Sequence, residues 1–225
     1  MSKIINIRGD IITDDLAWIY DWFGEPYTSP SQVEQLLLEA IDANDDVIVR
    51  INSGGGLVMA GMEIYSLLHG LDNVEVEVTG IAASAAGVIA EAGKTVRMHP
   101  VSMIMVHNVS GSFAGDYHDM KHAAGVLQDL NAAMAGAFVE KSGKPLDEIL
   151  NIMDKETWLT ADQAVEYGFA DEVIHVDMQA TNAMGGLSIT PEQIAQAKAE
   201  KALQEKAVAD RAREKAKLEL ELALY

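Results

Sequence analysis

Strand and helix periodicities alternate along the first 177 residues. The segment DVIVRINS (46–53) is apolar and β-branched, as a buried strand requires, and VEVEVTGIA (74–82) alternates polar and apolar positions. VEQLLLEAIDA (33–43) and residues 116–141 place apolar side chains at helical spacing instead. Strands that alternate with helices are typical of βαβ units, so the pattern predicts an α/β domain over residues 1–177.

Turn and capping signals mark the ends of several predicted elements. A Ser-Pro-Ser cluster precedes the helix at 33–43, and three glycines (54–56) follow the strand at 46–53. Thr160-Ala-Asp-Gln163 has the form of a capping box, and Gly168 is placed to end that helix in the left-handed conformation. Shorter strands are predicted at TVRM (95–98), SMIMVH (102–107) and DEVIHV (171–176).

The last part of the chain differs in composition from the predicted domain. Residues 178–189 are small and polar with two glycines, which predicts a linker. Residues 190–225 open with a second capping box, Thr190-Pro-Glu-Gln193, and are rich in Ala, Glu, Lys and Leu, which predicts an extended charged helix. Residues 1–187 hold 9 Lys and Arg against 28 Asp and Glu, whereas residues 188–225 hold 7 of each class. The acidity therefore belongs to the first part.

Composition excludes several classes of function. The 225 residues include no cysteine, which excludes disulfides, thiolate nucleophiles and sulfur-ligated metals. The formal net charge of −19 leaves little positive charge to neutralise phosphates, which argues against a nucleic-acid partner. No stretch reaches the ~18 to 20 apolar residues of a membrane span, and the N-terminus lacks the apolar run of a secretory signal. A cytoplasmic protein without membrane association is therefore expected.

Ser84 lies where a predicted strand runs straight into a helix of small residues. Unpaired backbone amides and the positive end of the helix dipole lie at such a position, which suits an oxygen nucleophile. A lone serine there more commonly serves as a helix N-cap, so its position alone does not decide its role. A nucleophilic serine needs a base, and His107, at the end of an apolar run, is the first candidate, with His99 as its competitor.

Metal and nucleotide sites receive little support from the sequence. His118 and His122 stand four residues apart on a predicted helix, but no third ligand accompanies them, so no metal is expected. The glycines at 54–56 lack the following Gly-Lys-Ser or Gly-Lys-Thr of a phosphate-binding loop, so no nucleotide cofactor is expected.

Four motifs, in their order and spacing, resemble those of the ClpP-type (caseinolytic) serine peptidases. They are INSGGGLVMAGMEIYSLL (51–68), GIAASAAGVIAEAG (80–93), SMIMVHNVSG (102–111) and WLTADQAVEYGFADEVI (158–174). The resemblance covers residues 46–176. It implies an α/β fold, the ClpP/crotonase-like spiral of ββα units, and a serine endopeptidase without a cofactor.

The resemblance also implies roles for individual residues. Ser84 would attack the scissile carbonyl, and His107 would accept its proton and pass it to the leaving amine. The backbone amides of Gly55 and Ala85 would form the oxyanion hole.

The acidic member of the implied triad stays open between two residues. The family's aspartate lies two residues before an aromatic residue, which is Trp158 here, and that position is occupied by Glu156. Asp154 lies two residues earlier. Glu156 is the first choice, because a longer side chain still reaches an imidazole, and either carboxylate has the alternative of being a surface charge at a helix end.

Two departures from the family pattern point to a subgroup. The family's Ser-Pro-Gly-Gly is Ser-Gly-Gly-Gly here, and the N-terminal part matches the housekeeping enzymes poorly, which argues against their ATP-driven unfoldase as a partner. The acidic domain and the appended helix are more similar to the ClpP-related head-maturation (prohead) proteases of tailed bacteriophages. That resemblance implies scaffold and capsid proteins as substrates during procapsid assembly, in the host cytoplasm or inside the procapsid.

Several alternatives remain beside this interpretation. A housekeeping-type ClpP subunit and a catalytically inactive ClpP-fold assembly protein are the main ones, and the presence of both Ser84 and His107 argues against the second. Crotonase-type enzymes share the fold, but basic residues for a CoA phosphate are scarce. The helix at 116–141 has more apolar positions than one buried face requires, which predicts a homo-oligomer, as a ring. The small-residue linker at 178–189 is a candidate for self-cleavage.

Overall fold

The computed structural model describes residues 2–174, together with Gln196 and Lys206. Its strands are β1 (Ser2–Ile11), β2 (Tyr27–Thr28), β3 (Asp46–Gly56), β4 (Val74–Ala83), β5 (Thr95–Met98), β6 (Met103–Val106), β7 (Thr157–Thr160) and β8 (Glu172–Val173). Its helices are α1 (Ala17–Phe23), α2 (Pro30–Ala43), α3 (Val58–Leu68), α4 (Ala85–Ala90), α5 (Tyr117–Ser142), α6 (Leu146–Met153) and α7 (Ala161–Tyr167). The predicted linker and, apart from Gln196 and Lys206, the predicted C-terminal helix lie outside the described residues and stay predictions.

A parallel sheet in the order β2-β1-β3-β4-β5-β8 runs through the domain. β4 is long enough to have two partners along one edge, because residues 75–78 pair with β5 and residues 81–83 pair with β6. β6 also pairs with β7, in the antiparallel direction. The sheet therefore branches at β4, and the branch lies beside the carboxyl end of that strand.

One face of the sheet forms the core. In β4, the side chains of Val74, Val76 and Val78 are fully buried, and they alternate with Glu75 and Glu77 on the opposite face. Helices α2, α3 and α4 pack against this buried side. Full burial of a valine-sized side chain contributes ~1.5 to 3 kcal/mol, so the alternation fixes which face of each strand turns inward.

The opposite face carries ion pairs that cross neighbouring strands. Arg50 Nε is 2.9 Å from Glu77 Oε2, and Arg97 Nη2 is 2.6 Å from Glu75 Oε2 and 3.4 Å from Glu77 Oε1. A longer contact of 3.9 Å joins Arg97 to Glu172. These five residues form the sheet ion-pair cluster, which connects β3, β4, β5 and β8.

The α/β fold predicted from the sequence is confirmed, and its elements differ from the prediction at three places. β3 does not end before the three glycines but continues through Gly56, because β1 supplies pairing partners for Gly55 and Gly56. β1 and α1 themselves had no prediction. Of the last predicted strand, at 171–176, the structure describes residues 171–174, and β8 covers Glu172 and Val173, which pair with Arg97 and Met98.

Within residues 2–174, none of the helices combines the length and apolarity needed to cross a bilayer. The same residues contain no group of three or more His, Asp or Glu side chains arranged to hold a metal ion.

Candidate active site

Ser84 occupies the sharp turn between β4 and α4. Its backbone has φ 56° and ψ −125°, a strained conformation that costs a non-glycine residue about 1 to 3 kcal/mol. Ser84 N–H donates to Met105 O at 2.9 Å, and Val88 N–H donates to Ser84 O at 3.2 Å, so both sides of the turn are held. Ser84 is the N-cap residue of α4, yet its side chain makes no capping hydrogen bond. The hydroxyl is therefore available for another partner.

That partner is His107, whose Nε2 lies 2.7 Å from Ser84 Oγ. The register of the branch explains the contact, because Ala83 pairs with Met105 and brings the residues after the two strands together. The distance is that of a hydrogen bond between a hydroxyl and an imidazole nitrogen. His99 lies in the turn between β5 and β6, where its described hydrogen bonds are all made by its backbone.

Gly55 brings the end of β3 against the serine turn. Its φ is +99°, and a Cβ atom on this residue would lie 2.6 Å from Ala83 O and 2.7 Å from Ser84 Cβ. Only glycine permits such an approach. The Gly55 N–H donates to Ser53 Oγ at 3.0 Å, so this amide already has an acceptor in the structure.

The next residue, Gly56, has a backbone amide that is oriented differently from that of Leu57. Leu57 N–H donates to Ile11 O at 2.7 Å, toward β1. In the parallel ladder Gly56 is the partner of Ile11, and the next amide, that of Leu57, makes the bond to β1. We therefore expect the Gly56 N–H to face the other edge of β3, the side of β4 and Ser84. Gly56 also lines the cavity next to Ser84 and His107.

The two candidate acids lie on the turn between α6 and β7, and both are exposed. Asp154 Oδ1 accepts a hydrogen bond from Asn108 Nδ2 at 2.7 Å. Glu156 has a positive φ of 48°, and its Oε1 accepts from Trp158 Nε1 at 3.3 Å. Within residues 2–174, neither carboxylate is hydrogen-bonded to His107 in this structure.

A cavity of about 150 Å³ opens beside the Ser84–His107 pair. Its walls are largely apolar and include Val88, Met134, Phe138 and Met153. All four of these side chains are buried and are supplied by α4, α5 and α6. The space is of the size that holds one apolar side chain of a ligand.

A buried carboxyl group ends the helix that begins at Ser84. Glu91 is 4% exposed, and both of its carboxyl oxygens lack hydrogen-bond partners within the described residues. Burial raises the pKa of Glu91 well above its ordinary value of 4.5; Lys141 opposes this shift and Asp171 adds to it. The negative end of the α4 dipole also disfavours a charge there.

Comparison with known proteins places the chain in a family. The family model described as Clp protease matches residues 25–177, more than half of the chain. The chain belongs to the Clp protease family. A proteolytic subunit of the ATP-dependent Clp protease from Bacteroides fragilis is 34% identical over 67% of this chain and 74% of its own length. Proteolytic subunit 2 from Tropheryma whipplei is 28% identical over 72% of this chain and 92% of its own.

Membership makes the chain a ClpP-type serine peptidase and confirms the predicted family, fold and enzyme class. Subunit 2 of the Thermobifida fusca enzyme is 36% identical over 63% of this chain and 71% of its own length. The Clp family match begins at Glu25, so β1 and α1 lie outside it.

The sequence did not predict Gly56 and Asn108 as residues of the site. The direction of a backbone amide depends on strand register, and the partner of an amide side chain depends on the position of its loop.

Proposed function

We propose that this Clp-family peptidase hydrolyses peptide bonds with Ser84 as nucleophile and His107 as general base. The observation that carries the proposal is the 2.7 Å separation of Ser84 Oγ and His107 Nε2. A neutral imidazole at this distance accepts the hydroxyl proton as Oγ attacks the carbonyl, and then gives it to the leaving amine. A water activated by the same imidazole then releases the acyl group from the serine.

Two backbone amides are the proposed oxyanion donors. Ala85 N–H belongs to the first turn of α4, where amides have no intrahelical acceptor. For the second donor the family resemblance implied Gly55. The Gly55 amide is hydrogen-bonded to Ser53, which favours Gly56, a residue that lines the same cavity as Ser84. The helix dipole of α4 adds to the stabilisation of the developing negative charge.

The apolar cavity supports a preference for substrates with an apolar side chain next to the cleaved bond. Burying such a side chain against Val88, Met134 and Phe138 is favourable by the hydrophobic effect, whereas a charged side chain would lose its hydration there. Peptides that differ only at this position, with Leu, Lys or Asp, measure the preference. We expect the Leu peptide to have the highest kcat/KM, and equal values for the three peptides would refute the assignment.

Serine-directed labelling tests the chemistry directly. A fluorophosphonate probe followed by peptide mapping is expected to modify Ser84 in the unaltered protein. Ser84→Ala and His107→Ala should abolish the modification, since losing either partner of such a pair lowers activity by roughly 10⁴-fold or more. His99→Ala is the matched histidine control and should label normally. An unlabelled wild-type protein would favour the inactive assembly protein instead.

The biological role proposed is that of a head-maturation protease acting on scaffold and capsid proteins. Support comes from the Ser-Gly-Gly-Gly turn, the acidic residues 1–187 and the N-terminal segment outside the family match. The curated relatives are named as subunits of ATP-dependent proteases, so the housekeeping role is the second candidate. Cleavage of scaffold protein without ATP or an unfoldase would support the first role. Cleavage of folded substrates only with an unfoldase and ATP would support the second.

A further inference from the structure

Two residues separate His107 from an exposed loop, and a hydrogen bond to a helical element holds each of them. Asn108 Nδ2 donates to Asp154 Oδ1 at 2.7 Å, and Asp154 is the C-cap residue of α6. Val109 N–H donates to Asn131 Oδ1 at 2.6 Å, and Asn131 lies in the middle of α5. We call these two hydrogen bonds the histidine clamps.

The clamps lie where the sheet no longer supports the chain. The last pairing of β6 with β4 is at Met105, and the last with β7 is at Val106, so His107 itself is outside both ladders. Residues 110–116, which follow the clamps, are all exposed. Among the described residues, the imidazole of His107 has Ser84 as its hydrogen-bond partner and no carboxylate on its other nitrogen. The clamps are therefore the contacts that fix the backbone on the C-terminal side of the histidine.

We propose that Asn131 and Asp154 are positioning residues that hold His107 within hydrogen-bond reach of Ser84. The proposal rests on the proposed function of the Ser84–His107 pair. Asn131 acts on the backbone of Val109, and Asp154 acts through the side chain of Asn108. In this role Asp154 is needed as a hydrogen-bond acceptor and not as the charged member of a triad.

The proposal makes the position of α5 part of the catalytic geometry. A displacement of about 1 Å in a catalytic group lowers the rate by about 100-fold, because the reacting atoms leave the productive arrangement. Since Asn131 lies on α5, a shift of this helix is transmitted through Val109 to the imidazole two residues away.

The first test compares variants of Asn131 that keep or lose the acceptor. Asn131→Leu removes the oxygen and should lower the rate of fluorophosphonate labelling about 10- to 100-fold. For a peptide substrate we expect a similar fall in kcat, with KM little changed. Asn131→Asp keeps an acceptor oxygen and should label at close to the wild-type rate. Asn151→Leu, at an exposed position of α6, is the matched control and should behave as wild type.

The second test separates a positioning role of Asp154 from a charged triad role. Asp154→Asn retains an acceptor oxygen for Asn108 but no charge, whereas Asp154→Ala retains neither. The positioning role predicts a fast-labelling Asn variant and an Ala variant slowed as much as Asn131→Leu. Equal losses in both variants, with a shifted pH profile in the Asn variant, would overturn the proposal and make Asp154 the charged acid.

Hydrogen–deuterium exchange supplies a readout that is independent of activity. Asn131→Leu should speed exchange of the Val109 amide, measured on a peptide covering residues 103–112, with no change in the melting temperature beyond that of Asn151→Leu. Faster exchange with normal labelling overturns the positioning role alone. Unchanged exchange overturns the clamp itself. A wild-type protein that exchanges as expected but never labels overturns the proposed function of the pair, and the positioning role with it.

Discussion

Gly55 is the residue at which the backbone approaches the nucleophile most closely. Gly55→Ala should reduce the free energy of unfolding by about 1 to 3 kcal/mol, because alanine is strained at φ +99° and its Cβ would meet Ala83 O and Ser84 Cβ. Displacement of the serine turn should also slow labelling of Ser84. Gly54→Ala is the matched control, since a Cβ there meets no atom within 4 Å. Chemical denaturation measures the difference, and equal stability of the two variants would contradict it.

Glu91 makes stability depend on pH in an unusual direction for a carboxylate. Its folded-state pKa lies above its ordinary value of 4.5, so the unfolded chain releases this proton first. The contribution of Glu91 to stability is therefore fully present below pH 4.5 and is lost as the pH rises toward the raised pKa.

Glu91→Gln should remove that loss, because the glutamine cannot ionise. We expect the variant to gain stability relative to wild type as the pH rises from 5 to 8, because the buried carboxylate of wild-type Glu91 becomes costly as it ionises. Urea denaturation at several pH values measures the slope. Glu63→Gln on the exposed part of α3 is the control and should leave the slope unchanged. Parallel pH curves for wild type and Glu91→Gln would show that Glu91 ionises normally.

The sequence predicted the members of the site better than their exact bonds. Ser84 and His107 followed from motifs that resemble a family, and the described geometry brings the two together. The hydrogen bond from the Gly55 amide to Ser53 Oγ has no sequence signal. It depends on the position of the Ser53 hydroxyl, which donates to Gly9 O on β1, a strand distant in sequence. The choice between Asp154 and Glu156 likewise depends on where Asn108 lies, which local periodicity does not encode.

At the scale of elements, the sheet ion-pair cluster joins strands that are distant in sequence. Arg97→Met should lower the free energy of unfolding by about 1 to 2 kcal/mol, because Glu75 and Glu77 lose a half-buried cation and then repel each other. The loss should grow smaller in 1 M salt, where screening weakens the repulsion. Lys94→Met removes an exposed pair with Asp72 and should change stability little. A salt-independent loss for Arg97→Met would point to packing instead.

Elements with strong periodicity or caps could be predicted, and elements without them could not. The predicted capping box at Thr160 is present at the start of α7, and the Ser-Pro-Ser cluster supplies Ser29, the N-cap residue of α2. α1 (AWIYDWF) has apolar side chains at nearly every position yet buries none of them, so no alternation of apolar and polar positions marks it as an amphipathic helix. β3 extends through three glycines only because β1 lies beside it, and such pairing between distant segments leaves no local signal.

At the scale of the whole molecule, much of the α5 surface is left uncovered by the other described residues. Of its 26 residues, five are buried, and apolar side chains such as Met120 and Val126 are exposed. We expect a homo-oligomer, measured as a multiple of 24.3 kDa by size-exclusion chromatography with light scattering. Val126→Glu should shift the mass downward, whereas Gln128→Glu, which adds the same charge at an exposed polar position, should not. A monomeric wild-type protein at micromolar concentration would refute the expectation.

The exposed aromatic residues of α1 have a consequence for spectroscopy. The chain has three tryptophans, and their exposed fractions are 66% for Trp18, 79% for Trp22 and 44% for Trp158. The emission of the folded protein should therefore resemble that of hydrated indole and be quenched readily by acrylamide. Iodide should quench less, because Asp14, Asp15 and Asp21 surround α1 with negative charge. Two of the three fluorophores thus lie on one short helix, so a blue shift on assembly would report directly that this helix has become covered.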